Sequence, residues 1–323
     1  MAGTTNLSSS SSYVEFTLLG FPGFHNLRRI LFIPFLFVYV VILGTNSLII
    51  HIVRTETSLH FPMYILMAML SAVNICGTTT VVPKMLLSFL IDLNRISLEG
   101  CLVQMFFIYF IIMMDCNILL MMSLDRFVAI CRPLHYARII NKHNLLQLTL
   151  ASLVRSISFV SPVIYLASRV QFCKSDTIRH FACEHMALLS LACGNITKNK
   201  IVGLILRVTS IVFDMCFLCT SYGSIMRAAL KISPGALRHK SLHTCGTHIL
   251  VISIVYFFSL SSSIVYRVSR SVTQDTHNLL SAIYLLFPAL ANPLIYGLRT
   301  KEIQHRLFKS FGRNIISNGQ VRQ

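Results

Sequence analysis

Seven stretches of this chain are long and apolar enough to cross a bilayer, roughly 29–53, 60–90, 98–123, 144–166, 201–225, 243–265 and 277–298. A membrane-spanning helix needs about 20 predominantly apolar residues. These seven consume most of the 323 residues and leave no room for a separate soluble domain. With 54% hydrophobic and only 12% charged residues, the chain has too few charges to cover a soluble globule. The fold class that follows is an all-α membrane protein, a seven-transmembrane helix bundle.

The net charge of +17 could point to nucleic acid, but its distribution argues otherwise. Lys and Arg gather in alternate connections. They include Arg54; then Arg132, Arg138 and Lys142; then Arg227, Lys231, Arg238 and Lys240; then a tail with Arg299, Lys301, Arg306, Lys309 and Arg313. Basic residues mark cytoplasmic loops. Residues 1–27 contain no Lys or Arg, which places the N-terminus outside. Arg28, Arg29, Lys198 and Lys200 run against the rule, but the alternation over the whole chain outweighs them. The expected layout is an extracellular tail over 1–27, the bundle over 28–300, and a cytoplasmic tail over 301–323. That tail opens with a short amphipathic helix (301–312), a contact for anionic lipid. No cleavable signal peptide is visible, because the first 27 residues lack a basic start and a continuous apolar core. The Ser-rich start, Ser8 to Ser12, reads as disordered. Two glycosylation sequons, at Asn6 and Asn195, fall on the expected outer side.

Cys101, Cys173, Cys183 and Cys193 also fall outside, an even set that favours two disulfides with three pairings open. His180, Cys183, Glu184 and His185 resemble a metal cluster in composition, but a disulfide at Cys183 would remove its best ligand.

Six separated motifs, in order over residues 44–303, resemble those of rhodopsin-like G-protein-coupled receptors and specifically odorant receptors. Leu59-His60-Phe61-Pro62-Met63-Tyr64 opens the second segment and Val82-Pro83-Lys84-Met85-Leu86 follows it. Ser123 to Tyr136, with Asp125-Arg126 inside, ends the third. Ser221-Tyr222 closes the fifth, and Lys240 to His248 opens the sixth. Pro288 to Gly297 ends the seventh, followed by Arg299-Thr300-Lys301. A finer resemblance, to the class I, fish-like odorant receptors, rests on Phe181 to Ala187, on Leu191-Ala192-Cys193, and on a sixth segment without Pro that ends in Arg267. The family pattern implies disulfides Cys101–Cys183 and Cys173–Cys193.

The resemblance implies a receptor without catalytic activity and without a cofactor. A small odorant would bind the outer half of the bundle. A stimulatory heterotrimeric G protein would engage the inner face and raise cyclic AMP, in the plasma membrane of sensory cilia. The rival within the class is a non-olfactory receptor for a small metabolite. A transporter is disfavoured because no inverted repeat is visible, and the enzyme reading because His185, Glu184 and Ser190 come with no oxyanion-hole motif.

The motifs also carry physical expectations. Arg126 can hold Asp125 or polar groups on the fifth and sixth helices, a bistable element that ligand biases; the plainer reading is an interfacial anchor. Pro293 kinks the seventh helix, Asn292 meets the freed carbonyl, and Tyr296 swings toward Tyr222. Asn46, Asn74, Asp115 and Asn292 would converge in the family arrangement. There Asp115 and Asn74 either hold a sodium ion or pair as a protonated acid and an amide. Asn74 stands where the family usually has an acid. Asp214 is a second intramembrane acid without an identifiable partner, and Arg155 matches a family arginine with a structural role. Arg207 and Arg267 are the candidate cations for an organic acid, weighed against a buried pair with an acid or an inward snorkel for Arg207 and a solvated loop residue for Arg267. Tyr109, Ser210, Tyr256, Ser259 and Ser263 are the candidate pocket hydroxyls.

Overall fold

The structure is a computed structural model that describes residues 12–231, 235–268, 273–299 and 303–304, with the side chains of 25–28, 236–242, 244, 262–268 and 298–299 outside that description. Its long helices are α1 (Arg28–Thr55), α2 (Pro62–Ile91), α3 (Leu98–Cys131), α5 (Lys142–Ser168), α7 (Thr197–Lys231), α8 (Ala236–Val268) and α9 (Gln274–Arg299). Short helices α4 (Tyr136–Ile139) and α6 (His185–Leu189) lie in connections. Six of the long helices are apolar enough to span a membrane, and α8 contributes a shorter apolar stretch, Cys245–Ser261. Together they make the seven-helix bundle.

Local chemistry sets several helix ends. Pro62 occupies the first turn of α2, where its missing N–H costs nothing. Ser97 caps α3 by accepting from the Gly100 N–H at 3.1 Å, and Asn141 caps α5 by accepting from the Asn144 N–H at 2.9 Å. Pro34, Pro83, Pro162, Pro288 and Pro293 lie inside helices, tolerated where neighbouring helices can satisfy the freed carbonyls. The helices overrun the apolar segments that announce them. α3 continues to Cys131, so Asp125 and Arg126 lie within the helix, not at its foot.

α3 is the central strut, packed against α2, α5 and α7, while α1 rests on α2 and α9. One end of the bundle carries a small sheet in the order β2-β1-β3. β1 (Glu15–Leu18) pairs antiparallel with β2 (Arg95–Ser97) and parallel with β3 (Thr177–Ile178). The segment expected to be only a tail is therefore the middle strand of a lid. Phe16 and Leu18, 1% and 2% exposed, pack with Met105, Phe172, Ile178 and Leu188 into a separate core. Beyond β1, the Gly23 N–H donates to the Asp275 carboxylate at the start of α9, at 3.0 and 3.2 Å. Phe21, with a left-handed φ of 53°, stacks on Phe181 at 6.2 Å. At the other end of the bundle Ile303 is fully buried in the main core with Met67, Met122 and Tyr296. The rest of the expected tail helix lies outside the described residues.

Gly20 sits where a Cβ would come within 2.8 Å of the Phe181 Cβ and 3.1 Å of its Cα. Gly20→Ala is expected to destabilise the lid by about 1–3 kcal/mol through overpacking, lowering the Tm of the purified receptor. Gly44→Ala, where nothing lies within 4 Å, should leave Tm unchanged; equal effects would refute the close packing of Gly20 on Phe181.

Candidate functional site

Beneath the lid lies a mostly apolar cavity of about 200 Å³ between α3, α5, α7, α8 and α9, roofed by residues 180–186. Tyr109, Arg207, Ser210, Tyr256 and Ser259 all line it. The other two candidates, Ser263 and Arg267, lie on α8 with side chains outside the description. Tyr284, Glu184, His180, Met113 and Cys116 also line it and were not among the expected contacts.

The roof is tied at several points. Disulfides join Cys101 to Cys183 and Cys173 to Cys193. The first pins the loop to the first turn of α3, and the Cys183 N–H donates to Gln104 Oε1 at 3.0 Å. Glu184 caps α6 by accepting from the Ala187 N–H at 2.7 Å, and it accepts from the Tyr109 hydroxyl at 3.3 Å. That hydroxyl accepts in turn from the His185 N–H at 3.1 Å. Burial raises the Glu184 carboxyl above its ordinary range, against these hydrogen bonds and the nearby Arg207, which lower it. Gly203 on α7 leaves space for His185, whose Cε1 would lie 3.1 Å from a Cβ there. With Cys183 in a disulfide, no group of three or more metal-ligating side chains gathers among the described residues.

The floor is polar and internally paired. Asp214 on α7 meets Arg155 on α5 at 2.6 Å and accepts from the Tyr256 hydroxyl on α8 at 2.8 Å. Arg155 also donates to Ser210 at 3.1 Å and to Asn117 on α3, while Asn117 donates to Ser156 at 3.0 Å. The guanidinium lies 4.8 Å from the Phe213 ring centre, a cation–π contact. Asp214 thus has the partner that sequence could not name, and the hydroxyls of Ser210 and Tyr256 already serve this network. Arg207 takes neither an acid nor open solvent as its partner. It donates to the Ser259 carbonyl oxygen and hydroxyl at 2.8 and 2.9 Å, and its Nε has no partner.

At the opposite end, adjacency does not make Asp125 and Arg126 an ion pair. Asp125, 2% exposed, accepts from the Tyr136 hydroxyl of α4 at 2.7 Å, and no ion pair joins it to Arg126 among the described residues. Successive residues on a helix point about 100° apart, so Arg126 turns elsewhere. It lies within electrostatic reach of Tyr222, Cys245, His248 and Tyr296. Among the described residues the hydroxyls of Tyr222 and Tyr296 are buried without hydrogen-bond partners, so the expected link between them is not made in this arrangement. His248, given no role of its own within the Lys240 to His248 motif, is 1% exposed and packs 5.5 Å from the Tyr296 ring. Asn292 and Pro293 are buried in α9, which runs on unbroken past both, and the Asn292 side-chain Oδ1 has no partner among the described residues.

Asn46 ties α1 to α9 by donating to the Ala289 carbonyl at 3.0 Å, and Asn74 donates to Asn46 at 3.2 Å. Asp115 makes no hydrogen bond to Asn74, and its buried Oδ1 has no partner. A sodium site built on these two would therefore rest on one carboxylate, short of the six or so oxygens a hard cation gathers. Asn195 is exposed and accepts from the Thr197 N–H at 2.9 Å, while Asn6 lies outside the described residues.

Two outcomes follow. Arg155→Met and Asp214→Leu should each cost on the order of 3–5 kcal/mol by stranding a buried charge, and the double substitution should recover most of it. Additive losses in Tm would show that the pair is not coupled. In the roof, burial lowers His180 from an ordinary 6.5 to about 4. The folded roof refuses a proton that the unfolded roof takes up. Stability is therefore full above pH 6.5 and falls as pH drops toward 4. His180→Asn should flatten Tm across that window, and an unchanged slope would assign the acid sensitivity to another group.

A sequence model described as "Olfactory receptor" matches residues 35–314. Human olfactory receptor 52K1 is 36% identical over 96% of this chain and 98% of its own length. Human olfactory receptors 52D1 and 52P1 are 37% and 38% identical over 94% and 92% of the chain, and 96% and 92% of their own lengths. The crystal structure of squid rhodopsin superposes with a TM-score of 0.71 over 93% of this chain and 91% of its own, at 14% identity, a likeness of fold. The chain belongs to the olfactory receptor family, as a non-enzymatic, multi-pass G-protein-coupled receptor.

Proposed function

We propose that this receptor lies in the plasma membrane with its lid outside and takes a small organic acid into the cavity. Its opposite end then activates a stimulatory heterotrimeric G protein and raises cyclic AMP. The observation that carries the reading is a lidded, mostly apolar cavity with a cation, Arg207, on its wall. A charge-assisted contact gains strength where water is excluded. Glu184 does not neutralise that cation outright, because its oxygens are held by Tyr109 and the Ala187 N–H. Ser210, Tyr256 and Ser259 border the same space, and Ser263 and Arg267 follow on α8 as further candidates.

The orientation rests on charge and redox chemistry. Both disulfides and the exposed Asn195 sit at the lid end, which suits an oxidising, glycosylating compartment. The described basic residues Arg54, Arg132, Arg138, Lys142, Arg227 and Lys231 belong to the other end, where Arg126, Tyr222 and Tyr296 lie near Asn292 and Pro293. Arg126 is poised there without an ion pair to Asp125, so a G-protein segment that inserts can compete for it.

A cyclic-AMP reporter assay in cells expressing this chain tests the reading, using short carboxylic acids against their matched esters. Acids should raise the signal, and Arg126→Ala at equal surface expression should abolish it. A response that survives Arg126→Ala would remove that residue from coupling. A preference for esters over acids would remove the acid from the ligand class.

A further inference from the structure

We infer that Arg207 on α7 and Tyr284 on α9 form a two-donor anchor for one carbonyl or carboxylate oxygen of the ligand. The ligand class is thus set by an oxygen acceptor on an apolar chain, and a negative charge is not required. This rests on the reading that the cavity holds the ligand, and it adds a residue that the sequence did not single out.

The argument is an accounting of polar groups around the cavity. Buried polar groups are normally hydrogen-bonded, so an exception asks for an explanation. On the floor, Asp214 is met by Arg155 and Tyr256, and Ser210 by Arg155. On the roof side, Tyr109 both donates to Glu184 and accepts from the His185 N–H. These groups gain little from a ligand. The wall between α7 and α9 differs. Arg207 spends one terminal nitrogen on Ser259 but leaves Nε buried and unpartnered. The Tyr284 hydroxyl is also buried with no hydrogen bond closed among the described residues, on a residue that lines the same cavity beside Ser259 and within electrostatic reach of Arg207. His180 Nε2 is unpartnered too, but its ring is stacked on Phe181 at 4.5 Å within the roof.

The Arg207 Nε–H and the Tyr284 O–H are both donors, and neither closes a hydrogen bond on an acceptor among the described residues. A ligand oxygen with two lone pairs supplies what both lack. An ammonium would face Arg207 and be repelled, and a hydrocarbon would leave both donors stranded. A ketone or aldehyde oxygen satisfies them without placing a second anion near Glu184. A carboxylate satisfies them with added charge. The apolar chain then lies against Ile108, Ile112 and Phe159.

Direct binding tests this apart from any G protein. Thermal unfolding of the purified receptor would be followed against heptanoic acid, 2-heptanone and heptane, in wild type, Tyr284→Phe, Arg207→Gln and Tyr39→Phe. Tyr39, whose hydroxyl meets Thr79 away from the cavity, is the control. The acid and the ketone should stabilise the wild type and heptane should not. Tyr284→Phe, which removes a single hydroxyl, should weaken both by about tenfold, and Tyr39→Phe should change neither. Binding by the acid alone, with the same loss in Tyr284→Phe, keeps the two-donor anchor but overturns the claim that a negative charge is not required. Equal stabilisation by heptane overturns the proposal, as does unchanged affinity in Tyr284→Phe or a wild type that no compound stabilises. Coupling is read separately, as G-protein nucleotide exchange, so a failed anchor and a failed receptor reading give different results.

Discussion

The ion pair between Arg155 and Asp214 determines where four helices can sit. A lone charge at this depth costs several kcal/mol in a bilayer, so neither residue is tolerable without the other. Their meeting at 2.6 Å sets the rotation of α5 against α7. The remaining hydrogen bonds then carry the constraint outward, through Asn117 to α3 and through Tyr256 to α8. The apolar faces of these helices supply no such direction, because lipid is as good a partner for Leu as another Leu. The cavity is the space left above this network. Its floor is polar, with the Asp214 and Ser210 side chains already bonded to Arg155.

The lid solves a different problem. The bundle mouth is in water, where a short strand has little stability alone. β1 gains it by pairing on both sides and by burying Phe16 and Leu18, and the Cys101–Cys183 bond fixes the loop that they pack against. The roof therefore holds its shape without ligand. Tyr109, Glu184 and His185 are pre-placed, and ligand binding need not order them.

The seven segments and the alternation of basic connections were legible because both are local, additive properties of the chain. Helix limits were less so. Hydropathy reports where apolar content ends, whereas α3 continues while its backbone is bonded, eight residues past residue 123 to Cys131. β1 was missed because its partners lie about 80 and 160 residues away and four residues carry little pattern. The Asp214 partner was hidden for a related reason, since sequence order says nothing about how two helices are rotated toward each other. Glu184 drew notice as a candidate metal ligand, yet its place three residues before Ala187 is the spacing of a helix cap. Asp125 and Arg126 look like a pair in the chain and are separated by the helix itself.

The two ends of the bundle differ in how their buried polar groups are satisfied, and this difference is what a signal can use. Near the cavity most of them are bonded. Around Arg126, the hydroxyls of Ser123, Tyr222 and Tyr296, the ring nitrogens of His248 and the Asn292 side-chain Oδ1 are buried without partners among the described residues. Each such group costs about 1–3 kcal/mol, so this end holds a packed but polar-deficient arrangement. Separating α8 from α3 loses apolar contact and gains access to hydrogen bonds, from water or from an inserted protein segment. The two changes oppose each other, which is the condition under which two states can come close in free energy. A ligand then needs to shift the balance by only a few kcal/mol. On the proposed reading α8 offers the route, because it carries both Tyr256, bonded to Asp214 at the cavity, and His248, near Arg126.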